Sequence, residues 1–128
     1  MDRIPVNIFL KTSVKDQQTE TVASGEMTCS DTEFYISYTE NDALVNIAAK
    51  PDELVIIRHG EVHSELSLLE KVHRIGKCQT AFGIIDLDIY THKLNISLHK
   101  KGGVISALYD VMDQLNNNLY IEITTKED

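Results

Sequence analysis

Leu54-Val55-Ile56-Ile57-Arg58-His59-Gly60-Glu61-Val62-His63-Ser64 decides how this chain is read. Four apolar residues run directly into a basic one, a glycine follows, and alternation then resumes. A short apolar run bounded by a turn signal reads as a strand. Gly60-Glu61 reads as the centre of a two-residue hairpin, since glycine supplies the positive φ that such turns want. In that register Arg58 faces His63, Ile56 faces Glu65 and Leu54 faces Ser67, so Arg58, His63 and Glu65 share one face. Side chains alternate along a strand, and this one is apolar on both sides, with Leu54 and Ile56 against Val55 and Ile57. Arg58 therefore enters partly sheltered surroundings whichever face it takes. A sheltered guanidinium needs acceptors, and Glu65 or Glu40 is the expected protein partner.

Working outward, period-two patterns recur along the whole chain. Ile4, Val6, Ile8 and Leu10 share one side of a strand starting near Pro5. Residues 19–29 form a second strand, where Gly25 marks a bulge or bend. Phe34, Ile36 and Tyr38 alternate with Tyr35, Ser37 and Thr39. Asn41-Asp42 and Pro51-Asp52 are turn dipeptides on either side of a strand over 43–50. Further strands fall at 62–69, 71–80, 84–90 and 94–99. Lys101-Gly102-Gly103 signals a hairpin into 104–112, and Asn116-Asn117-Asn118 turns the chain into 119–125. A helix over 104–115 is the one rival, because Ile105, Leu108, Val111 and Met112 also fit a 3.6 period. A short helix over 66–72 is a weaker one. Nine to eleven short strands with short connections predict an all-β fold: one antiparallel up-and-down barrel, in one domain over 1–128.

The chain has 128 residues, enough for one ordinary core. Its net charge of −8 excludes a generic nucleic-acid or anionic-membrane binder, since no basic block exceeds His99-Lys100-Lys101. Trp is absent, so no stacking platform for single strands stands out. Cys29 and Cys78 lack metal or redox spacing and are expected to be buried free thiols. Met1-Asp2-Arg3-Ile4-Pro5 lacks the apolar core of a signal peptide, and no run reaches the ~20 apolar residues of a membrane helix. A cytoplasmic location is expected.

Residues that could do chemistry are scattered. His59 and His63 fall on opposite faces in the two-residue register, and His73, His92 and His99 are dispersed, so no metal site is expected. Asp86 and Asp88 share a face, and a solvated strand face explains them better than paired acid–base work. Tyr35, Tyr90, Tyr109 and Tyr120 either line a cavity or pack with their hydroxyls at its rim. No GxSxG, GxGxxG or P-loop motif occurs.

Several stretches together resemble the YwiB-like proteins, small uncharacterised calycin-type β-barrels of Gram-positive bacteria. They are Ile36-Ser37-Tyr38-Thr39-Glu40, the run Val55 to Val62, Thr80-Ala81-Phe82-Gly83, Thr91, and Gly103-Val104-Ile105 with Tyr109. The resemblance covers nearly the whole chain and implies a calycin-like or lipocalin-like barrel of about eight to ten strands. It implies no activity. Position 65 departs from the family pattern, with Glu65 where a basic or amide residue is usual, which weighs against a shared anion site. The leading expectation is a non-catalytic barrel that holds a small apolar or anionic ligand. Arg58, His63, Glu65, Tyr38 and Tyr109 are its expected contacts, with no cofactor, no metal, no nucleic acid and no membrane. One alternative is a filled barrel acting through its outer surface or as a homodimer. The other is an enzyme using His63 or Asp86 as base. A hollow interior with convergent polar groups separates the first and last of these from the second.

Overall fold

A computed structural model describes residues 3–126. Ten antiparallel strands close into one barrel: β1 (Ile4–Val14), β2 (Gln17–Ser30), β3 (Glu33–Glu40), β4 (Ala43–Ala49), β5 (Glu53–His59), β6 (Ser64–Leu69), β7 (His73–Thr80), β8 (Gly83–His99), β9 (Gly102–Val111) and β10 (Gln114–Thr125). Each strand pairs with its neighbours in sequence, and β10 returns to β1 through Val6↔Thr125 to Ser13↔Asn118. The helical alternatives over 104–115 and 66–72 are strands, because β9 finds partners on both sides and β6 pairs with β5 along its length. An up-and-down order puts alternate turns at opposite ends. The β1–β2, β3–β4, β5–β6, β7–β8 and β9–β10 connections share one end, and the others share the second.

Inward positions fill the middle of the barrel. Ile8, Met27, Ile36, Ile47, Leu54, Leu68, Ile89, Ile105 and Ile121 are fully buried, one from each of nine strands. β7 contributes Gly76 instead. A Cβ there would meet Glu65 O at 2.5 Å and Ile89 Cδ1 at 2.6 Å, so glycine permits β6 and β8 to close over β7. This seam is thin. β6 and β7 pair only at Ser64↔Cys78 and Glu65↔Lys77, and a parallel bridge from Glu70 to Thr91 carries the chain past β7 to β8.

Three local features differ from the sequence reading. Residues 84–90 and 94–99 are one strand, joined through a register shift between Thr91 and Lys93. The extra residue switches the inward set from Ile89 and Thr91 to Leu94 and Ile96, as a bulge must. The last hairpin turns at Met112-Asp113 rather than at the three asparagines. Asn116, at φ 59°, instead forms a second irregularity between Gln114 and Asn117, using the left-handed tolerance of asparagine for a bulge. Gly25 forms no bulge: it sits in regular register between Val6 and Tyr38, where a Cβ would strike the Ser37 carbonyl and Tyr38. The N–H of Lys126 donates to Pro5 O at 3.0 Å. Glu127 and Asp128 lie outside the described residues.

Candidate functional site at one barrel mouth

Register decides what the mouth contains. Val45 faces Arg58 and Arg58 faces Ser64, while Tyr38 faces Val45. Directly opposed residues share a face, so Tyr38, Val45, Arg58 and Ser64 form one inward row. The β5–β6 connection therefore leaves five residues, 59–63, outside the ladder and not two. Glu65 faces Ile57, on the outer surface, and Ser67 faces Val55. The expected cluster of Arg58, His63 and Glu65 on one face is thereby corrected: one residue of register moves every side chain of a strand to the other side. His63 stands in the loop. Its Nδ1 is 3.0 Å from Nδ1 of His59 and its Nε2 is 3.3 Å from Glu65 Oε1, so the two histidines meet rather than point apart.

What the structure does bring together is Arg58, Tyr38 and Tyr109, with Glu40, around a cavity of about 300 Å³. Apolar side chains form its wall, Leu10, Val45, Ile56, Leu66 and Leu119 among them, and Thr12, Thr19, Thr21 and Ser64 add hydroxyls. Arg58 Nη1 lies 3.5 Å from Glu40 Oε2. That single long contact leaves most of the five guanidinium donors unused. Burial, with the Glu40 charge adding and Arg58 opposing, pushes the Tyr38 hydroxyl up to about 12. Burial likewise raises Tyr109. Both phenols keep their protons at neutral pH and can each donate one hydrogen bond.

Tyr109 belongs to a further row that sequence reasoning missed. Across the ladder it faces Thr91 on one side and Asn117 on the other. Both are buried, and Thr91 Oγ1 and Asn117 Oδ1 find no hydrogen-bond partner. Asn117 reads as a turn residue in the sequence, and only the bulge at Asn116 turns it inward.

The other tyrosines lie elsewhere. Tyr35 is partly exposed, and Tyr120 packs edge-on to Phe9 and bonds Glu122. Asp86 is exposed on β8, and Asp88 bonds His73 at 3.1 Å outside the barrel. Neither base named for an enzyme therefore lines the cavity. No group of three metal-ligating residues occurs among the described residues. A larger hollow of about 670 Å³ opens at the second end, over Cys29, Phe34, Ile96 and Leu98. Its charged groups Asp31, Lys50 and Lys100 stand at the rim turns, and Lys50 is 3.8 Å from Glu53.

The family model described as "Domain of unknown function (DUF1934)" matches residues 6–124, almost the full barrel. The chain belongs to this family. A crystal structure of the ywiB protein from Bacillus subtilis is similar, with a TM-score of 0.87 and 21% identity over 98% of this chain and 94% of that one. At that identity the likeness carries the fold alone, and it bears out the YwiB-like resemblance and the β-barrel. No curated protein sequence matches the chain. The family description names no activity, and no specific function comes from these relatives.

Proposed function

We propose that the protein is a non-catalytic binding barrel whose Arg58 mouth takes a small organic anion with an apolar body. The observation that carries this is the imbalance of donors over acceptors in the cavity. Arg58, Tyr38, Tyr109 and Ser64 bring N–H and O–H groups to a space of about 300 Å³, against the one carboxylate of Glu40. An acceptor-rich head, such as a carboxylate, matches that set, and a guanidinium grips it with two parallel bonds. The wall of Leu10, Val45, Ile56, Leu66 and Leu119 suits an apolar body. A calycin-type barrel that holds one ligand at one end fits this picture, as fold-level analogy. The source of the ywiB structure supports a bacterial origin, and two unpaired thiols fit a reducing cytoplasm. The net charge of −8 argues against nucleic acid and anionic membranes as partners.

Calorimetry with benzoate and benzyl alcohol as probes tests the reading. Benzoate should bind, benzyl alcohol should bind at least about tenfold more weakly, and Arg58→Met should abolish the difference. Equal binding of the two probes to the unaltered protein, or no binding of either, would overturn it.

A further inference from the structure

Closing a sheet into a barrel abolishes its edges, yet stretches of edge survive here where a hairpin outruns its neighbour: residues 17–24 of β2 pair with β1 alone and are mostly polar, and the start of β8 is the apolar case. β8 starts at Gly83, but its pairing with β9 starts only at Ile89, opposite Val111. Residues 83–87 pair with β7 alone, from Thr80↔Gly83 to Gly76↔Leu87. The pairing of β7 with β6 ends at Cys78. The β7–β8 hairpin therefore runs past the barrel as a two-stranded ribbon, and the far side of β8 presents unpaired backbone N–H and C=O groups.

The ribbon is apolar where it should be polar. Phe82 at its tip is 99% exposed, Ile84 67% and Ile85 48%. The tip is also ordered: Thr80 Oγ1 donates to Gly83 O at 3.0 Å and accepts from Phe82 N–H at 3.1 Å. Solvent-facing edges are normally blunted by lysine, proline or inward charges. Residues 83–87 carry none of these, and Asp86 is their only charge. Such an edge is a template for another strand.

We infer that residues 83–87 pair antiparallel with the same residues of a second copy of this chain. The segment is self-complementary. A two-fold axis through the join at Ile85 sets Ile85 against its own copy, Ile84 against Asp86 and Gly83 against Leu87. No like charges then face each other, which a chain of net charge −8 requires before two copies can approach. Ile85 and Leu87 of both copies fall on one face of the joined sheet and cover one another, as an isologous contact demands. The Arg58 mouth takes no part in the join, so the two readings stand or fall separately.

Sedimentation velocity over two decades of concentration, up to about 200 µM, reads the outcome. The unaltered chain should form dimers within that range. Ile85→Lys sets two ammonium groups against each other and should raise the dimer dissociation constant about tenfold or more. Ile84→Glu sets a carboxylate against Asp86 of the other copy and provides the second disrupting variant, and circular dichroism checks that each keeps its β signal. Amide exchange of residues 83–87 should slow as concentration rises. A chain that stays monomeric throughout overturns the inference. A dimer unmoved by both substitutions also overturns it, since the contact then lies on another surface.

Discussion

Arg58 and Glu40 meet inside the barrel mouth, Nη1 to Oε2 at 3.5 Å, although 18 residues separate them in the chain. The contact exists because Arg58 faces Val45 across one ladder and Glu40 faces Ala43 across the next. The side chains are 36% and 26% exposed, so water still screens the pair. Arg58→Ala should lower stability by about 1–2 kcal/mol, less than a fully buried pair would lose, because Glu40 is only partly stranded. Arg58→Met keeps the volume and should cost less. Urea midpoints at constant slope measure both. An Arg58→Ala variant as stable as the parent would mean that the pair contributes nothing to the fold.

Tyr38 should be among the last tyrosines to ionise. Its hydroxyl is pushed to about 12 in the folded protein, above the usual value of 10.0. A raised value makes the folded state the tighter proton binder between those limits. The associated stability is intact below pH 10 and is lost as pH climbs towards 12. Absorbance at the phenolate band should show a late ionisation that disappears in Tyr38→Phe. The same variant should flatten the decline of stability across that window. Ionisation of every tyrosine near pH 10, with no late step, would contradict the buried setting of Tyr38.

Gly76 tests the thin seam. With Glu65 O and Ile89 Cδ1 at 2.5 and 2.6 Å from the position of a Cβ, alanine must push β6 or β8 away. Only two residue pairs hold β6 to β7, so the ladder has little in reserve. Gly76→Ala should destabilise by about 1–3 kcal/mol, the usual range for overpacking. Amide exchange should quicken first at Glu65 and Lys77. A neutral effect would show that the seam relaxes freely.

Both cysteines should titrate as thiols. Cys29 lies on β2 facing the hollow at the second end, and Cys78 faces Ser64 near the Arg58 end. Both are free and half-buried, less sheltered than the sequence reading supposed. Thiol reagent added to protein denatured without reductant should count two. Native protein should react more slowly than denatured protein at both positions, since each is partly covered. A count of zero would require the barrel to open.

Much of this barrel was legible in the chain itself. Period-two alternation located the strands, and β3 and β5 begin and end where Phe34 to Tyr38 and the run from Leu54 imply. Asn41-Asp42 forms its two-residue turn with φ of 48° and 65°, as its residue types favour. These signals are local: a side chain's neighbours one and two places along state the period and the turn chemistry without reference to other strands. Arg58 was likewise marked from the start as a charge inside an apolar strand, with Glu40 among its expected partners. Facing was not local. Gly60-Glu61 suggests a two-residue turn, yet ring closure sets Arg58 against Ser64 and leaves residues 59–63 outside the β5–β6 ladder, which sends Glu65 outward and brings His59 to His63. The parity switch near Thr91 and the inward turn of Asn117 arise the same way, from bulges that let ten strands meet in one ring. Alternation along a strand is written into the order of its residues. The register between strands is a property of the whole closed sheet, and that register decided which polar groups share the cavity.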